Sequence, residues 1–231
     1  MKSPIRKMFD DISRHYDFLN HTLSGFQDIL WRKKSCKELK RILSEQNASR
    51  ADLLDLCGGT GDFIRTFEKT VKIPGVRILG DFSFLMLKES RHKNIQAEVL
   101  QLDAMNMPFE SAAFDIILNG FGLRNLPDPK EALLESHRIL KPGGYILFLD
   151  FFAPRNFFNK FFYRTLAPLF IPVLGSFFSG KRSAYEYLIS SVLKFLPVKD
   201  FISLANSCGF DLVFSKSCTF GIAYRILLKK R

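Results

Sequence analysis

A run of glycines and a few acids carry the chemistry that can be read from this sequence. Gly58-Gly59-Thr60-Gly61 follows a short apolar run, Leu53 to Leu56, that is interrupted by Asp55. Asp62 comes next, and Phe63, Ile64 and Phe67 continue at helical spacing, so the order is strand, glycine turn, helix. Glycines serve where a backbone bends sharply and where its N–H groups must approach a ligand with no Cβ in between. The dinucleotide fingerprint G-x-G-x-x-G asks for a third glycine and turns a helix N-terminus toward a pyrophosphate. Here Gly59-Thr60-Gly61-Asp62-Phe63-Ile64 puts isoleucine third and an acid at the helix start, which repels phosphate and suits a cation. A second acid, Asp81, ends the apolar run from Val76 to Gly80, where a carboxylate in such a fold hydrogen-bonds ribose hydroxyls. A tight turn without a ligand accounts for the glycines but leaves Asp81 without a task. Asp55 and Asp62 around the glycine loop suit a ligand with an ammonium and a sulfonium but no phosphate, and S-adenosylmethionine is such a ligand; the ribose at Asp81 would serve NAD as well, which the missing third glycine disfavours.

These residues have to be held by regular elements. Ala97 to Leu102 reads as a strand ending at Asp103-Ala104, and Phe114 to Leu118 as another leading to Asn119-Gly120. A helix is predicted from about Pro129 to Leu140, then a turn at Pro142-Gly143-Gly144 and an apolar strand from Tyr145 to Phe151. Strands alternating with helices predict an α/β fold with a mainly parallel sheet. Ligands of such sheets bind at the carboxyl ends of the strands, where Asp55, Asp81, Asp103 and Asn119 all fall. The first 47 residues are helical in pattern: Ile5, Met8, Phe9 and Ile12 form one stripe, and Ile29, Leu30, Cys36, Leu39, Ile42 and Leu43 a second. Between these stripes, residues 14–31 mix aromatic and polar groups more richly than a linker needs. The expected organisation is a helical cap over 1–47, a βα core over 48–152, an insertion over 153–198, and a C-terminal helix with the last strands over 199–231.

Composition narrows the partners. The chain has 231 residues, enough to bury a core without disulfides, and its four cysteines have neither C-x-x-C spacing nor a histidine at metal-ligand spacing. A reducing cytosol and no metal are expected. With 34 Lys and Arg against 23 Asp and Glu, the net charge of +11 predicts attraction to a polyanion, either nucleic acid or an anionic membrane surface. Met1 to Asp17 is charged throughout, so no signal peptide is predicted, and no apolar run approaches the roughly 18 residues of a membrane span.

LLDLCGGTGD, the Gly80-Asp81 pair, LDAMNMPF, FDIILNGFGLRNLPD and RILKPGGYILFLDF together resemble the class I S-adenosylmethionine methyltransferases. FGLRN followed by LKPGG and preceded by YDFLN and LW is similar, more narrowly, to the C-methyltransferases of menaquinone and ubiquinone biosynthesis, from about Met8 to Gly221. The resemblance implies a Rossmann-like, mainly parallel seven-stranded sheet with an antiparallel last strand. It also implies S-adenosylmethionine as cofactor and the ring carbon of a reduced polyprenyl quinone precursor as methyl acceptor, demethylmenaquinol or a methoxy-benzoquinol. By position it gives Gly58, Gly59, Thr60 and Gly61 to the methionine part with Asp55 near its ammonium, Asp81 to the ribose, and Asp103 and Ala104 to the adenine. Asn119 and Gly120 complete the cofactor set, although the family often has serine where this chain has Gly120.

On the acceptor side Arg124, in the FGLRN turn, is the candidate to stabilise a developing phenolate, unless it pairs with Asp128. Tyr16, with Asp17 and Asn20, is expected to close over the site, and His15 is a candidate proton acceptor, although a partly exposed helix histidine accounts for it as well. Ten of the 25 phenylalanines lie between Phe148 and Phe178, interleaved with Arg155, Lys160 and Arg164. The expectation for Phe157 to Phe178 is a hydrophobic lid that also meets an anionic membrane, placing the protein in the cytoplasm, peripheral on the inner membrane face. Two other readings stand beside this one. A methyltransferase acting on RNA or a small molecule accounts for the charge, yet no RNA-binding module or N-x-P-[FY] tetrapeptide is present, and no nucleic-acid partner is expected. A non-catalytic membrane-associated protein accounts for the phenylalanines but gives the cofactor residues no use. A homo-oligomer is allowed.

Overall fold

The computed structural model describes residues 4–154, 164–165 and 182–231. Apart from residues 164 and 165, the segment from Phe157 to Phe178 lies outside the described residues.

Short apolar runs build the sheet: β1 (Leu53–Leu56), β2 (Arg77–Asp81), β3 (Glu98–Gln101), β4 (Phe114–Gly120), β5 (Leu140–Phe151), β6 (Phe210–Cys218) and β7 (Ala223–Lys230). Their order is β3-β2-β1-β4-β5-β7-β6. The first five pair in parallel, while β7 runs antiparallel between β5 and β6. All four residues of β1 are buried, because a central parallel strand is covered on both faces. From β1 the chain runs outward through β2 to β3 and then crosses back to β4 on the other side of β1, a switch in direction that opens a crevice at the carboxyl end of the strands.

Alternation along β1 distributes its side chains between two cores. Leu53 packs with α3 (Gln27–Glu45) and α4 (Asp62–Val71) through Leu39, Leu43, Ile64 and Phe67. Leu54 and Leu56 face α6 (Pro129–Ile139) and α8 (Val198–Ser207) through Leu133, Ile139 and Phe201. Local chemistry sets the helix starts. Asp128 accepts the N–H groups of Lys130 and Glu131 with Pro129 in the first turn of α6, and Ser83 accepts Met86 N–H at the start of α5 (Phe84–Ser90).

Two expectations change in detail. The aromatic-polar stretch after α1 (Pro4–Ile12) folds as a 3-10 turn, Ser13–His15, and a helix, α2 (Tyr16–Leu23), before α3 begins. The turn expected at Pro142-Gly143-Gly144 lies inside β5 rather than ahead of it: Phe114 pairs with Leu140 and Ile116 with Tyr145, so the intervening residues of β5 bulge out. A Cβ on Gly144 would lie 2.9 Å from the Lys141 carbonyl oxygen and 3.0 Å from that of Asp115, so backbone fills the space a side chain needs. One further helix, α7 (Arg182–Lys194), precedes α8.

Candidate active site

The loops after β1, β2, β3 and β4 surround a cavity of about 420 Å³, a size suited to a nucleoside-like ligand. Its walls include Cys57 and Gly59, then Asp81 and Phe82, then Asp103 and Ala104, then Gly120 and Phe121. Ile5, Arg6 and Phe9 of α1 and Tyr16 of α2 close the other side. Cys57 (φ 55°) and Phe121 (φ 61°) hold left-handed backbone although neither is glycine. Such conformations persist where the surrounding structure over-determines them, and here they stand just beyond β1 and β4 at the cavity wall.

Asp81 is the acid most directly placed. Its Oδ2 accepts Gly59 N–H at 2.9 Å and its Oδ1 accepts Ser83 N–H at 2.8 Å, so it pins the glycine turn and still has lone pairs toward the cavity. Burial pushes its carboxyl up to about 6, against the lowering effect of those two N–H groups. Asp103 is exposed at the cavity wall and accepts Met105 N–H at 3.0 Å, with Ala104 buried next to it.

Asp55 lies behind the glycine turn rather than in the cavity wall. Its Oδ2 accepts Ile64 N–H at 2.9 Å, and burial pushes its carboxyl up to about 7. A Cβ on Gly58 would sit 2.8 Å from Asp55 Cγ and 2.3 Å from Leu79 Cδ1, so glycine is what lets the turn lie on this acid. Asp55 Oδ1 is buried without a hydrogen-bond partner among the described residues. The same holds for Asn119 Oδ1, while Asn119 Nδ2 donates to the Leu56 carbonyl at 3.1 Å. Two orphaned oxygens behind a glycine turn favour a donor-rich or cationic group nearby. Gly120 is a wall residue, and a Cβ there would lie 2.8 Å from the Phe63 ring, so serine fits only if Phe63 moves.

Thr60 Oγ1 donates to Asp17 Oδ1 at 2.5 Å and accepts from Lys93 Nζ at 2.8 Å. Lys93 also reaches Asp17 Oδ2 at 2.6 Å and Asp62 Oδ1 at 2.5 Å. One lysine thereby ties α2 to the glycine turn and to the start of α4. Nothing in the local sequence marks Lys93, which follows Arg91 and His92 and reads as part of a solvated basic stretch. His21 Nδ1 meets Asp28 at 2.8 Å and its Nε2 meets Asp62 at 3.6 Å, with Arg32 paired to both acids. The donors of His21, Asp28 and Asp62 lie within metal-binding reach of one another. Arg32 and Lys93 already occupy the acids, so the geometry is that of an ion-pair network. Asp62 is accordingly held below the usual carboxylate range: burial raises it, but Arg32 and Lys93 more than offset that.

Among the acceptor-side candidates, Tyr16 is in the wall, and burial pushes its phenol up. His15 lies exposed on the 3-10 turn and outside the cavity wall, so the structure does not bring it to the other candidates. Arg124 is not paired with Asp128. It pairs with Asp150 through Nη1, donates from Nη1 to the Phe121 carbonyl at 3.2 Å, and reaches Ser191 Oγ from Nε at 3.3 Å. Asp150 is fully buried, and burial raises its carboxyl despite Arg124. The signal for this pair was the lone acid in the apolar run Tyr145 to Phe151. The residues just after Arg124, namely Asn125, Leu126 and Pro127, do line the cavity.

The residues fit S-adenosylmethionine. Asp81 offers acceptors for ribose hydroxyls, Asp103 and the Ala104 backbone border a wall with Phe82, Leu102 and Met105 that suits a flat base, and the acids at 55 and 81 disfavour phosphate. The profile of the ubiE/COQ5 methyltransferase family matches residues 1–228. The chain is 36% identical over 225 residues to the demethylmenaquinone methyltransferase of Staphylococcus saprophyticus, covering 96% of this chain and 94% of that one. It is 36% identical over 210 residues to the protein of the same name from Chlorobaculum tepidum, covering 90% and 85%. Among solved structures, a methyltransferase from Thermotoga maritima described as a possible histamine N-methyltransferase aligns with a TM-score of 0.62 at 19% identity, covering 97% of this chain and all of that one. A putative methyltransferase of Haloferax volcanii, solved with its Trm112 activator, aligns with a TM-score of 0.65 at 16% identity over 96% and 97% of the two chains. The sheet order, the acids at its strand ends and a family match over nearly the whole sequence lead to one conclusion: the chain belongs to the ubiE/COQ5 methyltransferase family and is an S-adenosylmethionine-dependent methyltransferase.

Proposed function

We propose that the protein transfers a methyl group to a ring carbon of a reduced polyprenyl quinone precursor, demethylmenaquinol first among them, with the thioether S-adenosylhomocysteine as leaving group and the replaced ring hydrogen lost as a proton to solvent. The observation that carries this reading is the full-length similarity to relatives named demethylmenaquinone methyltransferase. The cavity is compatible with it, since besides the polar strand-end residues it is lined by Ile5, Phe9, Phe121 and Leu126, which suit an apolar ring.

S-adenosylmethionine, when bound, supplies an electrophilic sulfonium methyl. The chain's own residues then have to align the acceptor carbon and keep water out. Asp81 and the Gly59 backbone hold the ribose, Asp103 and Ala104 hold the base, and the glycine turn over Asp55 takes the cationic end. α1 and α2 cover the cavity, α2 held by the Lys93–Asp17 contact and α1 by Asp10 on Ser83. Tyr16, whose phenol is pushed up, stays protonated near neutral pH; it can donate a hydrogen bond to a quinol oxygen but does not serve as a base. Arg124 acts through the turn it holds against Asp150, and that turn places Asn125 and Leu126 at the wall. The acceptor is a bilayer lipid, so the protein works at an anionic membrane surface on the cytoplasmic side. No described helix is long and apolar enough to cross a membrane.

The test is incubation of purified protein with labelled S-adenosylmethionine and, separately, reduced demethylmenaquinone or a reduced methoxy-benzoquinone precursor in detergent, with the lipid analysed by mass. Methylation of the naphthoquinol is expected. Transfer to the benzoquinol alone would reassign the acceptor, and transfer to neither with cofactor binding intact would overturn the reading.

A further inference from the structure

The exposed face of α3 changes character along its length. Phe26, just ahead of the helix, and Ile29 and Leu30 in its first turn are 58%, 43% and 47% exposed. Lys33, Lys34, Lys37, Lys40 and Arg41 follow, all exposed, at the spacing that places them on the same side. The opposite side, with Trp31, Cys36, Leu39 and Leu43, is buried in the core. Glu38, the acid closest to these lysines in sequence, is already taken by Lys216 and Arg41, and among the described residues no carboxylate pairs with Lys33, Lys34, Lys37 or Lys40. A single large apolar side chain at the surface needs no explanation, but three adjacent ones bordered by a row of unpaired cations do.

We propose that this face of α3 is the surface by which the protein docks on an anionic lipid bilayer. The inference rests on the reading of a membrane-borne acceptor and names the residues that would bring the site to it. Phe26, Ile29 and Leu30 enter the acyl boundary, and the lysines of the following turns meet lipid phosphates, the division of labour of an interfacial amphipathic helix. Position supports the assignment. Trp31, next in the chain after the apolar group, packs against Phe121 with ring centroids 6.5 Å apart, and Phe121 is a wall of the cavity. This end of α3 is thus one buried ring contact away from the cavity wall. A second copy of the chain fits less well, because two such faces would bring the lysines together. A nucleic acid would use the charge but would have no use for Ile29 and Leu30.

The experiment is sedimentation of the full chain with vesicles of phosphatidylcholine alone or mixed with phosphatidylglycerol. The wild-type protein is compared with Ile29→Gln/Leu30→Gln and with Lys33→Gln/Lys34→Gln/Lys37→Gln, each shown to be folded and to bind S-adenosylmethionine as the wild type does. The expected result is binding only to the anionic vesicles, weakened in the lysine variant by about fivefold per charge removed and in the apolar variant by at least about tenfold. Undiminished binding by both variants would overturn the proposal, as would a lipid-independent dimer that the Ile29 and Leu30 changes dissolve. Vesicle binding reads the surface alone, and methyl transfer in detergent reads the reaction alone. A failure of this surface is thus distinguishable from a failure of the proposed reaction.

Discussion

If Asp81 holds the ribose as proposed, its two tasks pull its proton in opposite directions. Without a ligand, burial favours the protonated acid, whereas a ribose with two hydroxyl donors favours the carboxylate. Binding of S-adenosylmethionine should therefore release protons below about pH 6 and tighten from pH 5 to pH 7.5, an effect that calorimetry in two buffers of different ionisation enthalpy detects. For the ligand-free protein the sign is reversed. The folded values of Asp55 and Asp81 lie above the ordinary 3.8, so their contribution to stability is full below that value and is lost as pH rises through about 6 and about 7. Asp81→Asn gives one of the two backbone N–H donors an amide NH2 in place of an acceptor. It should lower cofactor affinity by about ten- to a hundredfold and flatten the proton release. The Arg124–Asp150 pair makes a second test at this scale. Arg124→Met leaves a buried carboxylate uncompensated, which costs about 3–5 kcal/mol in denaturant unfolding at pH 8 and less at pH 6, where Asp150 takes up a proton more readily. Arg124→Met/Asp150→Asn should recover most of that loss.

Between elements, the decisive contact is the one that Lys93 makes. α1 and α2 have no strand to pair with, so their position over the cavity depends on side chains: Asp17 to Thr60 and Lys93, and Asp10 to Ser83. Lys93→Met should leave the sheet unaffected while freeing α2 from the glycine turn. Because Lys93 and Asp17 are partly solvated, the pair contributes no more than about 1 kcal/mol, equivalent to about a fivefold rise in cap opening. Amide exchange in residues 4–23 and cofactor release in stopped flow should both accelerate by that factor, and unchanged exchange would show that the cap is held elsewhere. The sheet bears on the site differently. β1 and β4 are each followed by a left-handed residue, Cys57 and Phe121, next to the cavity, and a sequence alone shows no sign of such positions when the residue is not glycine.

For the whole molecule, the +11 charge and the buried site predict different responses to salt. Surface lysines are screened beyond about 8 Å at physiological ionic strength, whereas the acids at positions 55 and 81 are shielded from solvent. Raising salt from about 0.05 to 0.5 M should strip the protein from anionic vesicles while changing S-adenosylmethionine affinity by less than about threefold. Much of this architecture was legible in the residues themselves. Alternating apolar runs and helical stripes imply a parallel sheet, and the glycine turn, its acidic follower and Asp81 imply a ribose without phosphate, because each of those signals is local in the chain. Contacts between distant segments were not legible. The pairing of Arg124 with Asp150 instead of Asp128, the exposure of His15, the place of Asp55 behind the turn and the reach of Lys93 to Thr60 depend on how elements pack, and no spacing rule records that. The sequence by itself determined which cofactor chemistry the strand ends can hold, since residue type at a strand end decides it. Only the tertiary structure decided which of those residues face the cavity and which support it from behind, since burial and partner choice arise when the layers close on one another.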